Sequence, residues 1–342
     1  MMGVGRLSAS SYRFDNVVIR SQAAVVGPKE GEGPLGKYFD RIWPSELNHH
    51  TSSEEAELAL LTEAQNLALV KAGVEWSQVD LVMGGDLLDQ LIATDFAARG
   101  HQRPLAGLFS ACAVFTESVG LGAMIIAGGG PTVVLAAASS HHMSAERQFR
   151  YPIELGYQRT PTAAWTSTAA GACLLVEGRP VKEPDLIIES ATFGRVIDWG
   201  TKNPNDMATA MAPAAFDTIK QHLRDVGRDI SYYDQVYTGD LGVLGVKLLD
   251  AMARQEGLDW SSYLDDCGKS LYDTQRQDVH NGGSGPGCSA SVFSGFLCRQ
   301  LRSKEFRRVL LVSTGALFSP TSYKQGESIP AIAHAVAISR MN

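Results

Sequence analysis

The chain has little with which to cross-link, chelate or neutralise phosphate. Its five cysteines among 342 residues are odd in number, scattered and without a CxxC pair, so neither a disulfide framework nor a zinc pattern is expected. Basic residues are outnumbered, with 30 Lys and Arg against 37 Asp and Glu and a net charge of −7. A nucleic-acid binder needs a phosphate-neutralising surface that this balance does not supply. Uninterrupted apolar runs of membrane-spanning length are also missing: Val119 to Ser140 is broken by Gly128, Gly129, Gly130 and Pro131 and does not read as one spanning helix. The first twenty residues carry Arg6, Arg13, Asp15 and Arg20, which excludes a signal-peptide core there. No low-complexity segment or charged tail appears, and no metal site or cofactor motif is expected.

What is present is an ordinary globular composition, 44% hydrophobic and 20% charged, in a chain long enough for two domains or one large pseudo-symmetric one. Asn16 to Ile19 reads as a strand. The glycine-rich stretch Gly27 to Asp40, GPKEGEGPLGKYFD, lacks phosphate-loop spacing and is expected to be a surface excursion. Thr51 to Gly73 predicts a helix capped by Ser52 or Ser53 and ended by Gly73. Val79 to Met83 predicts a strand closed by Gly84, Gly85 and Asp86, and Thr132 to Ala138 a fully apolar strand covered on both faces. A helix is expected from about Ala214 to Val226. Strands alternating with helices give an α/β layered fold.

The chain repeats itself. Residues 78–91, QVDLVMGGDLLDQL, share their logic with 232–245, YYDQVYTGDLGVLG, so that Gly85-Asp86 matches Gly239-Asp240. Ala111-Cys112-Ala113 is echoed by Gly287-Cys288-Ser289. Cys112 and Cys288 stand 176 positions apart, as do Val133 and Val309, whereas Asp86 and Asp240 stand 154 apart. Two halves are expected, 1–180 and 181–342, with the junction at Pro180 to Pro184.

FSACAVFTES, Phe109 to Ser118, is the central chemical feature. If Ser110 and Ala111 form the turn, Cys112 opens a buried apolar helix whose N–H groups and dipole favour a thiolate. It is equally read as one more small buried hydrophobe.

A duplicated α/β unit with a cysteine heading a buried helix resembles the thiolase fold of thiolases and ketoacyl-acyl carrier protein synthases. That resemblance implies two pseudo-symmetric halves in five layers, αβαβα, and a homodimer. In those enzymes the cysteine accepts an acyl group. They activate it with His or Asn at the head of the helix equivalent to that of Cys288 and at the end of the strand reaching Gly239 and Asp240, because a developing oxyanion needs donors. Here Gly282 to Gly287, GGSGPG, and Thr238-Gly239-Asp240 stand instead. His280 and Asn281 lie nearby but precede small residues expected to be mobile.

More specifically, the blocks GPKEGEGPLGKYFD, GDLLDQ, SACAVFTES, SSHHMSAERQFRYP, ATFGRVIDWG, AMAPAAFDTIKQHL, GGSGPGCSASVF and SIPAIAHAVA, in this order and spacing, resemble the stage V sporulation protein AD family of spore-forming bacteria. The resemblance spans essentially the whole chain. It implies a non-enzymatic thiolase-fold protein that binds dipicolinic acid, alone or as its calcium chelate. It also implies service in the acid's uptake into the developing spore with membrane-embedded partners, as a peripheral or cytoplasmic chain. A divergent acyltransferase using Cys112 and a scaffold subunit are the alternatives.

A flat dianion asks for cations or N–H donors at its carboxylates and apolar walls for its ring. The candidate ligand contacts are Asp86, Cys112, His141, His142, Arg147, Arg195, Asp240, Ser284 and Cys288, with Arg150 beside Arg147. Each arginine is alternatively a salt bridge to Glu146, Glu154, Asp198 or Asp206. The two aspartates could orient an arginine, hold a calcium or cap helices.

Overall fold

The computed structural model describes residues 3–149, 158–178 and 185–341. Strands of the first half are β1 (Val4–Arg6), β2 (Ser11–Phe14), β3 (Val17–Val26), β4 (Arg41–Ile42), β5 (Leu81–Gly85), β6 (Leu105–Gly107), β7 (Val133–Ser140), β8 (Trp165–Thr166) and β9 (Ala169–Glu177). Those of the second are β10 (Leu186–Phe193), β11 (Gln235–Thr238), β12 (Leu264–Asp266), β13 (Gly283–Ser284), β14 (Arg308–Ala316) and β15 (Ala331–Arg340). Helices are α1 (Pro28–Gly31), α2 (Ser53–Ala72), α3 (Ile92–His101), α4 (Val114–Ala127) and α5 (His142–Phe149), then α6 (Met207–Val226), α7 (Gly242–Gln255), α8 (Cys267–Leu271), α9 (Pro286–Val292), α10 (Cys298–Arg302) and α11 (Pro320–Lys324).

The strand order is β12-β11-β14-β15-β10-β3-β9-β7-β5-β6. It divides into two equivalent five-strand sheets, β3-β9-β7-β5-β6 and β10-β15-β14-β11-β12, joined where Leu186 and Ile187 pair antiparallel with Ile19 and Val18. In each sheet the strand carrying the Gly-Asp turn, β5 or β11, pairs parallel with the long central strand, β7 or β14. The repeat seen in the sequence is therefore a repeat of topology.

Alternate residues of the central strands enter different cores, as a sheet covered on both faces requires. Val134 and Ala136 of β7 and Val309 and Leu311 of β14 join one cluster with α4 and α9 between the sheets. Leu135 faces the α2 side, and Leu310 and Val312 face the α6 side. The layers are thus helices, sheet, helices, sheet, helices. The thiolase-type five-layer architecture is present.

Local signals explain the elements and some departures from expectation. In α2, Ser52 accepts the N–H of Glu55 at 3.2 Å and Gly73 closes the helix with φ +66°. α6 begins at Met207, seven residues before the expected start, because Asp206 caps it by accepting the N–H of Thr209 at 3.3 Å; Pro213 is accommodated inside. The stretch 27–40 is not a surface excursion: Leu35 and Phe39 join the central core, and Glu30 is buried, accepting Tyr272 Oη and the N–H of Thr168. Nor is 282–287 loose. All six residues are buried, and the carbonyls of Gly282 and Ser284 accept the N–H groups of Trp165 and Ser167 at 2.8 and 2.9 Å. The expected junction at 180–184, with Arg150 and Glu154, lies outside the described residues.

Candidate functional site

Cys112 stands on a tight turn two residues ahead of α4. Ala113 N donates to Ser110 O at 3.1 Å and Val114 N to Ala111 O at 3.3 Å, and Ala111 takes φ +51°, the left-handed region that a side chain disfavours. The turn is gripped from both sheets at glycines. A Cβ on Gly85 would lie 2.1 Å from Leu108 O, and one on Gly315 would lie 2.2 Å from Ser110 O. Backbone strain held by packing of this kind is typical of a functional position.

The second half brings Asp240 and Ser284 to this turn. Asp240 Oδ2 accepts Ser284 Oγ at 2.8 Å, and its Oδ1 accepts Thr314 Oγ1 at 2.7 Å. Ser284 Oγ in turn lies 3.8 Å from Cys112 Sγ. Burial pushes the Asp240 carboxyl up, and the Cys112 thiol is pushed well above its usual range by burial first and by Asp240 second. Both effects work against a thiolate at Cys112.

Beside the sulfur is a cavity of about 40 Å3, with walls from Leu87, Phe109, Ala145, Phe149, Met207 and Phe318 and polar edges at Thr166 and Ser284. Met207 and Ser284 also border a narrower polar space lined by Thr162, Asn205, Asp240 and Asn281. No arginine, lysine or histidine lines either among the described residues.

The remaining expected contacts are elsewhere engaged. Arg147 is paired with Glu54, and Arg195 holds Asp217 through Nε at 3.0 Å and Nη2 at 2.6 Å, both on the surface. Neither partner is one the sequence suggested. His141 is buried and held neutral: Nε2 donates to Glu46 O at 3.0 Å, Nδ1 accepts Met143 N at 3.2 Å, and burial lowers its pKa. His142 stacks on Trp165, ring centroids 3.5 Å apart. These four side chains therefore do not form the cationic wall expected of them.

Asp86 caps α3, accepting Thr94 N at 2.8 Å and Thr94 Oγ1 at 2.7 Å, with Leu88 N at 2.9 Å. Burial raises its pKa and that of neighbouring Glu57, which Asp86 raises further. Cys288 is enclosed in α9 with Sγ 3.6 Å from Gly239 O and does not border the cavity. Of the nine candidates, Cys112, Asp240 and Ser284 are brought together. Sequence reasoning missed Thr314, 74 positions from Asp240, and the aromatic walls, for which no local pattern exists. Asn281, noted near the expected donor position, is committed to the backbone: Nδ2 donates to Leu241 O at 3.0 Å and Oδ1 accepts Leu244 N at 2.8 Å.

Among solved structures the fold is similar to AbyA1, a tetronic acid condensing enzyme, with a TM-score of 0.61, 15% identity and coverage of 94% of this chain and 99% of that one. It is likewise similar to 3-oxoacyl-[acyl-carrier-protein] synthase III from Aquifex aeolicus VF5, with a TM-score of 0.59, 11% identity and coverage of 95% and 100%. At these identities the likeness concerns the fold. A relative from Bacillus subtilis (strain 168), stage V sporulation protein AD, is 41% identical over 324 residues, covering 95% of this chain and 94% of that protein. The family model for stage V sporulation protein AD matches residues 8–339, and the chain belongs to that family.

Proposed function

We propose that the chain is a non-catalytic binding protein for dipicolinic acid, serving its uptake into the developing spore beside membrane-embedded partners. The observation that carries this reading is the buried carboxyl of Asp240, which accepts Ser284 and Thr314 beside Cys112. A carboxyl acceptor at this turn disfavours an oxyanion, which would need donors there.

The chemistry of the cavity selects the form of the ligand. Among the described residues the cavity has a buried carboxyl and no cation, which opposes a free dianion, whereas a charge-neutral form, the calcium chelate as cargo or the doubly protonated acid, avoids that cost. A space of about 40 Å3 holds roughly three waters at about 10–15 Å3 each. A ring with two carboxyl groups therefore enters by moving Phe109, Phe149 or Phe318 and by joining the polar space across Asp240.

Calorimetry with dipicolinate, with and without equimolar calcium, tests the reading. Binding that is stronger with calcium and is abolished by Ala145→Trp supports it. Absence of binding in both forms overturns it, as does an acyl adduct on Cys112 after incubation with acyl-CoA thioesters.

No described helix is long and apolar enough to cross a membrane, so the chain would meet membrane-embedded partners through its surface. We assign the homodimer contact to the free edge of β6, flanked by exposed Ile92, Phe96 and Phe109. An open edge with apolar neighbours is suited to pairing with a second copy.

A further inference from the structure

A cavity larger than the one at Cys112 opens at the junction of the sheets. It is an open cleft of about 250 Å3 bordered by Arg13, Phe14, Glu189, Arg228, Tyr232 and Tyr233. Its origin is a change of partner along β10, which pairs with β3 at Leu186 and Ile187 and with β2 from Ser190 to Thr192. Between these, the register against β15 shifts from Ile188 to Ser190, leaving Glu189 in a bulge. Bulges re-aim side chains and interrupt pairing; here the interruption leaves room.

Charge accounting gives the cavity its sign. Glu189 is answered within the wall, accepting Tyr232 Oη at 3.0 Å and lying 3.6 Å from Arg308 Nε. Asp225, beside Val226, accepts Ser8 Oγ at 2.6 Å, Ser11 Oγ at 2.7 Å and Gln221 Nε2. Asp234 accepts the N–H groups of Arg307 and Arg308 at 2.6 and 2.7 Å. Among the described residues neither Arg13 nor Arg228 is paired with a carboxylate, so the cavity keeps two uncompensated guanidinium groups.

The wall between them is aromatic and held in place. Tyr233 Oη is 2.7 Å from His222 Nε2, whose Nδ1 is 2.8 Å from Thr192 Oγ1. The Arg228 and Arg308 guanidinium carbons lie 4.5 and 4.2 Å from the Tyr232 ring centroid. A guanidinium held over a ring keeps N–H groups with which to meet an anion. Room, paired donors and an aromatic wall occur together, and each suits a different part of one ligand.

We propose that this cavity binds a small planar aromatic carboxylate, with Arg13 and Arg228 donating to its carboxylate oxygens and its ring against Phe14 and Tyr233. The site is separate from the Cys112 cavity and differs in charge: among the described residues the Cys112 cavity has a carboxyl and no cation, and this one has two guanidinium groups.

The test is calorimetry on the full chain at low salt with benzoate, dipicolinate and inorganic phosphate as probes. Benzoate is expected to bind with one-to-one stoichiometry and phosphate more weakly. Arg13→Ala with Arg228→Ala should weaken benzoate about tenfold or more. Both arginines are exposed, so the double variant should melt like the parent. Val226→Trp, which fills the space and leaves both charges, should also abolish benzoate binding. Wild-type benzoate affinity in either variant overturns the proposal, as does phosphate binding as tightly as benzoate, which would leave the ring without a role. The result is independent of the dipicolinate reading: binding of its calcium chelate that survives Val226→Trp but not Ala145→Trp belongs to the Cys112 cavity.

Discussion

Asp240 Oδ2 accepts the hydroxyl of Ser284 at 2.8 Å, and that hydroxyl lies 3.8 Å from Cys112 Sγ. The relationship joins the two halves of the chain at the Cys112 turn. It also fixes the polarity of the site, because a buried carboxyl raises a neighbouring thiol pKa rather than lowering it.

Removing that charge should therefore make the sulfur more acidic. Asp240→Asn keeps the shape and an acceptor for Ser284 while deleting the negative charge that raises the thiol. Alkylation of Cys112 by iodoacetamide, followed by mass spectrometry across pH, should show a midpoint moved down. A midpoint lower by one pH unit gives about tenfold more thiolate at any pH below it. An unchanged or higher midpoint would mean that Asp240 does not control the thiol.

The turn itself depends on Gly315. A Cβ there falls 2.2 Å from Ser110 O and 3.1 Å from Ala113 N, against backbone that cannot swing aside like a side chain. Gly315→Ala should cost about 1–3 kcal/mol, read from the urea midpoint at constant m-value. A wild-type midpoint would show that the Cys112 turn can shift freely.

Glu30 gives the protein a pH dependence with a definite sign. Burial, with the charge of Glu46 adding to it, pushes its carboxyl from 4.5 up to about 7. A group whose folded pKa is raised keeps its proton longer in the folded state, so stability falls as pH rises from about 4.5 through 7 and the loss persists above that window. That rise corresponds to about 3 kcal/mol, at about 1.4 kcal/mol for each tenfold change in proton affinity. Glu30→Gln retains an acceptor for Tyr272 Oη and Thr168 N. It should raise the melting temperature at pH 8 and leave it nearly unchanged at pH 4. Buried His222 and His334, both lowered to about 4, act in the opposite sense over acidic pH, but they are common to both proteins and cancel in the comparison. Equal differences at both pH values would remove Glu30 as the source.

Legibility from the sequence followed the range of the interaction. The α2 caps at Ser52 and Gly73 and the doubly buried runs of β7 and β14 are local patterns. The repeat of Gly-Asp turns and cysteine turns is a comparison of the chain with itself. Burial of Glu30 was not legible: a carboxylate among glycines looks like a loop until Tyr272, 242 positions away, closes over it. The arginine partners failed for the same reason, since Arg147 finds Glu54 at a separation of 93. The cavity at the β10 bulge depends on a register shift that no residue type announces.

Arg147 shows the consequence for function. Its side chain is about half exposed and engaged with Glu54, and it does not line the cavity beside Cys112. Arg147→Ala should therefore leave dipicolinate binding within about twofold of the parent and change stability by no more than about 1 kcal/mol, the range of surface pairs. Loss of binding in calorimetry would return this arginine to the site.

The β6 edge supplies the last prediction. β6 ends the strand order, and α3 beside it exposes Ile92 and Phe96 at 42% and 43% of their surface, with Phe109 at 53% just beyond the strand. A two-fold axis through that edge would pair β6 with its copy and bring both apolar patches together, since an isologous contact matches a surface to itself. Phe96→Glu then places like charges across the axis in a position that the isolated chain leaves open to water. Sedimentation velocity should show a dimer for the parent and a monomer for the variant, with matching melting curves at low concentration. A variant that sediments as a dimer moves the contact away from β6, because a charge tolerated at Phe96 cannot be buried against its own copy.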